Sequence, residues 1–148
     1  MDFKWKRLSF AAIVLMLLVI LDRFTSFYML RFGLSNLVIY LYYDVFWQLV
    51  LFKALVVFIF KGPFVSFVSF LATSISAFVV VKLLQAGYGS VVSCVTGSVL
   101  HTYVQILVFQ IFLFKLGFYI ELLAFGMSIL TGILTGLILP RLELYLQR

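Results

Sequence analysis

Charge is what this 148-residue chain has least of: 11% of its residues are Asp, Glu, Lys or Arg, while 66% are hydrophobic and the mean hydropathy is +1.25. A soluble domain carries roughly 25% charged residues, so this composition cannot cover an ordinary globule with a water-facing surface. It describes an integral membrane protein, and the shortage of polar linkers leaves no room for a second, aqueous domain. Residues 1–148 therefore read as one membrane domain. Cysteine occurs once, at Cys94, which excludes an internal disulfide and a cysteine-based metal cluster. Histidine also occurs once, at His101, so zinc would have to recruit distant carboxylates.

Acids are equally sparse. Asp2, Asp22, Asp44, Glu121 and Glu143 all fall at expected helix ends or turns, and none is paired at the spacing of a carboxylate metal site. There is no phosphate-binding glycine loop, serine elbow or HExxH. Catalysis needs a nucleophile, an acid–base pair or metal ligands within reach of one another. We expect no enzyme, no metal and no cofactor.

The net charge of +6 would suggest nucleic acid in a soluble chain. Here Lys4, Lys6, Arg7, Lys61, Lys82, Lys115, Arg141 and Arg148 sit at helix ends and turns, where basic side chains anchor helices at the bilayer interface, so no nucleic-acid partner is expected. The basic start followed by an apolar run resembles a signal peptide, but Leu21-Asp22-Arg23-Phe24 stands where a small-x-small cleavage site would be. It reads as a retained first helix. No lipidation motif stands at either end.

Taking roughly 20 apolar residues per crossing, the fold class expected is an all-α integral membrane bundle of six transmembrane helices. They are placed at about 8–24, 33–43, 45–60, 63–84, 90–114 and 118–139. Lys61-Gly62-Pro63 is the clearest break, since proline suits the first turn of a helix. Asp44, after Tyr40, Tyr42 and Tyr43, marks a turn between a short second helix and the third, and helix 6 is expected to stop at Pro140. Six crossings put both termini on one side. The distribution of basic residues weakly favours the cytoplasm for that side.

The functional clue is His101 with Gln105 four residues on, inside an apolar stretch. The helical repeat puts Gly97, His101 and Gln105 on one face. Hydrocarbon cannot hydrogen-bond an imidazole or a carboxamide, so this face should look into protein or a wet cavity. Such a pair either ties helices together, at about 0.6 to 2 kcal/mol, or contacts a ligand. Asn36, in the first turn of helix 2, either caps that helix or meets a ligand at the outer mouth beside Arg31. Lys53 lies roughly eight residues from either end of helix 3, where a charge costs on the order of 3 kcal/mol. It should face the interior, either in a structural ion pair, with Asp22 as one possible counter-charge, or against a substrate. Gly132-Ile133-Leu134-Thr135-Gly136 and the small residues of helix 4, Ser66, Ser69, Thr73, Ser74 and Ser76, permit close helix approach.

These residues resemble a known family. Gly33-Leu34-Ser35-Asn36 after a basic residue resembles its GLAN-type motif. Lys53 ahead of Gly62 resembles its Arg/Gly pair, and Gly97-x-x-x-His101-x-x-x-Gln105 resembles its GAxxHNxxQ signature. The family is heptaprenyl diphosphate synthase component I, also called Gx transporters, which is similar to the substrate-binding S components of energy-coupling factor (ECF) transporters. The likeness runs from about Leu8 to Leu139. Thr102, Ser35 and Lys53 depart from the family's usual asparagine, alanine and arginine, and helix 1 offers Ala11 and Ala12 but no AxxxA.

The resemblance implies uptake of a small molecule across a bacterial cytoplasmic membrane by six helices enclosing a site near the outer face. Arg31, Asn36, Lys53, His101 and Gln105 would be its contacts, and a coupling membrane subunit and an ATPase pair its partners. The chain lacks the aspartate-rich DDxxD that holds magnesium diphosphate in prenyl synthesis. Two alternatives stay open: a non-catalytic membrane scaffold with the architecture of the rod-shape protein MreD, and an accessory subunit of a prenyl diphosphate synthase.

Overall fold

The computed structural model describes residues 3–24, 34–113 and 117–146, and among them there is helix and no strand. The elements are α1 (Phe3–Phe24), α2 (Leu34–Leu41), a 3-10 turn (Tyr43–Val45), α3 (Phe46–Lys61), α4 (Pro63–Gln85), α5 (Ser90–Phe112) and α6 (Phe118–Leu146). Four segments are long and apolar enough to cross a membrane: Tyr43–Lys61, Pro63–Gln85, Ser90–Phe112 and Phe118–Tyr145. The protein is thus an all-α membrane protein. Six α-helices are described, but four rather than six pass on length and composition. In α1 the uncharged run from Leu8 to Leu21 is bounded by Arg7 and Asp22. The eight residues of α2 rise only about 12 Å.

The outside of the bundle is apolar. Ile59, Leu55, Ile111 and Phe118 are each more than half exposed, which suits hydrocarbon and would be an aggregation hazard in water. The inside is built around α2. Its residues from Ser35 to Tyr40 are all buried, the polar Ser35 and Asn36 among them. It touches α1, α3, α4 and α6. Ala11, Leu15 and Val19, on one face of α1, pack with Val38, Ile39, Leu49, Val50 and Val80. In lipid there is no hydrophobic drive between helices, so α2 is held by close packing and hydrogen bonds against its neighbours.

The breaks have local causes. Gly62 takes φ 85°, a left-handed conformation that L side chains rarely adopt, and Pro63 starts α4 where its missing N–H costs nothing. Between α2 and α3, Asp44 sits in the 3-10 turn and meets Arg7 at 3.8 Å, while the Arg7 guanidinium lies 5.4 Å from the Tyr42 ring centre. This contact ties the turn to the start of α1.

One helix end differs from expectation. α6 does not stop at Pro140 but runs through it to Leu146. Proline has no N–H for the carbonyl four residues back, that of Gly136. That carbonyl instead accepts a hydrogen bond from Ser90 Oγ at 2.8 Å. The same region is the tightest seam of the bundle. A Cβ on Gly136 would collide with Val91 Cα, and one on Gly132 would come within 2.5 Å of Val95 Cα. The GxxxG therefore serves internal packing of α6 on α5. α5 ends at Phe112, two residues earlier than expected.

Candidate functional site: a polar-lined cavity in one half of the bundle

A cavity of about 200 Å³ lies inside the bundle and draws its lining from all six helices. On α5 the lining residues are Ser98, His101, Thr102, Gln105, Ile106 and Phe109. On α6 they are Ile120, Leu123, Ala124, Met127, Ser128 and Thr131. Both sets follow the spacing i, i+3, i+4, i+7, i+8, i+11, a single stripe on each helix. The other helices contribute Val19 and Asp22 late in α1, Ser35 and Asn36 at the start of α2, Lys53 to Lys61 late in α3, and Val65 to Ser69 early in α4. Because neighbouring helices present opposite ends, the cavity occupies the half of the bundle away from the start of α1 and the end of α6.

Four helices are joined by one chain of polar contacts. Lys53, 6% exposed, donates from Nζ to Asn36 Oδ1 at 2.5 Å and to Thr73 Oγ1 at 3.2 Å. Ser76, one turn further along α4, donates from Oγ to the Thr73 carbonyl at 3.2 Å and lies 3.4 Å from His101 Nδ1. Gln105 Nε2 is 3.1 Å from His101 Nε2. With the Gln105 amide as donor, His101 Nε2 accepts. Nδ1–H is then left to donate to Ser76 Oγ, whose own proton goes to Thr73. The arrangement Asn36–Lys53–Thr73–Ser76–His101–Gln105 links α2, α3, α4 and α5. Asn36, Lys53, His101 and Gln105 line the cavity, while Thr73 and Ser76 contact Lys53 and His101 without lining it.

Asp22 stands apart from that chain. It is 7% exposed, lines the cavity, and its Oδ2 accepts from the Ser35 backbone N–H at 3.3 Å. Among the described residues its Oδ1 has no hydrogen-bond partner. The rim toward the far ends of the helices is apolar and aromatic. Phe64 packs edge-on against Phe109 and Phe112, at 5.9 and 6.0 Å between ring centres, and Gln110 donates to the Glu121 carboxylate across the α5–α6 connection.

Of the residues expected from sequence, Asn36, Lys53, His101 and Gln105 line the same cavity. Arg31 lies outside the described residues. Gly97 sits behind the site rather than in it. A Cβ there would strike Val80 Cγ2 and come within 3.3 Å of Tyr40 Oη, so this position must be small for α5 to approach α4 and α2. Sequence reasoning gave Thr73 and Ser76 no part in a site. Their signal is present, because Ser66, Ser69, Thr73 and Ser76 follow one face of α4, but small polar residues in a membrane helix point first to internal packing and second to a partner interface. Asp22, a possible counter-charge for Lys53 on sequence grounds, lines the same cavity. No group of three or more His, Cys, Asp or Glu side chains able to hold a metal occurs among the described residues. Comparison with protein-family models, with curated proteins and with solved structures finds no match to this chain.

Proposed function

We propose that this protein is a membrane-embedded substrate-binding subunit that holds a small molecule inside its helix bundle, in the manner of ECF S components. The observation that carries the reading is the cavity itself, where Asn36, Lys53, His101 and Gln105 converge from three helices among apolar walls. A concave, mostly apolar space with a few convergent polar groups is the usual form of a small-molecule site. Ionisable groups inside a membrane are costly and accordingly tend to be functional. In this reading the chain crosses a bacterial cytoplasmic membrane six times. α2, packed among α1, α3, α4 and α6, makes the short second crossing, both termini lie in the cytoplasm, and the cavity faces outside. The 148 residues hold no nucleotide-binding motif, so movement of the ligand inward would be driven by a coupling membrane subunit with an ATPase pair. No catalytic step is assigned to the chain.

One observation favours a second reading. The same polar groups bond one another, which is how a scaffold of the MreD kind would hold its helices. The two separate on substitution of His101 and Gln105 by alanine. A binding subunit keeps its fold and loses the small molecule that co-purifies with it, detected by mass spectrometry of the denatured preparation. A scaffold loses folded protein in the membrane and carries no small molecule to lose. An accessory role in prenyl diphosphate synthesis predicts instead a soluble, aspartate-rich partner that co-purifies.

A further inference from the structure

Among the described residues, one that lines the cavity, Asp22, carries a buried polar atom without a partner. Asp22 Oδ1 is buried and unpartnered among the described residues, while its twin Oδ2 is fixed by the Ser35 N–H at 3.3 Å. A buried acceptor without a donor is costly, more so when it is a carboxylate oxygen. The bundle has hydroxyls lining the same space, at Ser69, Ser98 and Thr102, yet none of them donates to it. A buried acceptor without a donor, on a residue of the cavity wall held by the Ser35 N–H, is complementary to a donor that arrives from elsewhere.

The charges around it narrow what can arrive. Lys53 and Lys61 line the same cavity. A ligand bearing only positive charge is opposed by these ammonium groups, and one bearing only negative charge is opposed by Asp22. A head group with both polarities meets both requirements: an N–H for Asp22 and a carbonyl or carboxylate oxygen for the cationic side. The remaining lining, including Val57, Val65, Ile106, Phe109, Leu123 and Met127, is apolar and suits a hydrocarbon or ring body. We propose that Asp22 anchors the occupant of this cavity, and that the occupant is a small amphipathic molecule whose head carries an N–H donor beside a carbonyl or carboxylate, as in amides, ureas and amino acids. This deepens the substrate-binding reading above and rests on it.

The test uses the purified full chain in detergent and matched probes. 3-Phenylpropanamide carries the N–H and the carbonyl, and its N,N-dimethyl amide keeps the carbonyl but has no donor. Binding is read by displacement of the co-purified molecule and by thermal shift, in the wild type, D22N and the His101→Ala/Gln105→Ala double variant. The primary amide is expected to bind at least tenfold more tightly than the dimethyl amide in the wild type, and D22N to reduce that preference to under threefold. The wild-type ratio needs no substitution, so it decides the matter even where D22N fails to fold. Mass spectrometry of the molecule released from the wild type is expected to show an N–H donor next to a carbonyl or carboxylate. Equal binding of both probes, or a released molecule without an N–H donor, overturns the role of Asp22 while leaving the site intact, provided the His101/Gln105 variant loses binding. No released molecule and no binding of either probe overturns the inference and the substrate-binding reading together.

Discussion

Removing Asn36 takes an acceptor away from an ammonium buried in the bundle, and the cost can be worked from the geometry. Lys53 Nζ lies 2.5 Å from Asn36 Oδ1 and 3.2 Å from Thr73 Oγ1, and Lys53 and Asn36 are 6% and 5% exposed. A hydrogen bond to a charged group contributes about 1.5–3 kcal/mol in proteins generally. Uncharged pairs between membrane helices average only about 0.6 kcal/mol, with an upper limit of about 1.7. Charge and short distance place this pair just above that limit and low in the charged range, at about 2 kcal/mol. Asn36→Leu should therefore cost about 2 kcal/mol in the wild type. Lys53→Met removes the charge together with its need for an acceptor, and keeps the length of the side chain, so the same Asn36→Leu change should then cost under about 0.5 kcal/mol. Reversible unfolding of the four purified proteins by SDS, followed by helical circular dichroism, gives the coupling directly. Independent sites add to within about 0.3–0.5 kcal/mol, so an equal cost of Asn36→Leu in both backgrounds would refute the claim that Lys53 depends on Asn36.

Other outcomes follow from the packing. Gly132→Ala places a Cβ against the backbone of Val95 and should destabilise by about 1–3 kcal/mol, the cost of overpacking. Gly126→Ala on the same helix meets nothing within 4 Å and should be neutral or stabilise by up to about 1 kcal/mol. The same SDS titration compares the two. Ser90→Ala leaves the Gly136 carbonyl without its donor and should cost about 1 kcal/mol. In a Pro140→Ala background the residue-140 N–H can bond that carbonyl, so Ser90→Ala should cost less than half as much there. Ser76→Ala removes the hydroxyl beside His101 Nδ1. It should weaken retention of the co-purified molecule severalfold with little change in stability, read by mass spectrometry and unfolding side by side.

Much of this architecture is legible in the chain because lipid makes severe demands. A segment that crosses hydrocarbon must be long, apolar and helical, and α4 and α5 announce themselves by uninterrupted hydropathy between Gly62-Pro63, Gln85 to Gly89, and Lys115. α2 is harder to anticipate. Eight residues cannot cross on their own, and their burial on every side depends on α1, α3, α4 and α6, which no local pattern records. Pro140 misleads for a similar reason. Its helix-breaking chemistry is real, but the carbonyl it leaves open is met by Ser90, a residue 46 positions away whose proximity follows from the α5–α6 seam.

The candidate site was legible where polarity is rare. His101, Gln105, Lys53 and Asn36 stand out against apolar neighbours, and all four line the cavity. Thr73 and Ser76 did not stand out, because hydroxyls in membrane helices also serve close packing, and only the positions of Lys53 and His101 give them another part to play. Asp22 was visible as a charge at a helix end. Its unsatisfied oxygen is a property of three-dimensional surroundings and could not be read from composition or spacing.

In the substrate-binding reading the bundle encloses a hollow open to water on the side opposite the start of α1 and the end of α6. Thr102→Cys in a Cys94→Ala background puts the chain's one thiol on the cavity wall, and Leu55→Cys in the same background puts it on the lipid-facing surface of α3, where Leu55 is 61% exposed. Intact cells are treated with a membrane-impermeant maleimide. The account predicts that the Thr102→Cys protein is labelled from outside and that the Leu55→Cys protein is not. A Thr102→Cys protein that stays unlabelled until the cells are permeabilised, or that labels no faster than the Leu55→Cys protein, would contradict it.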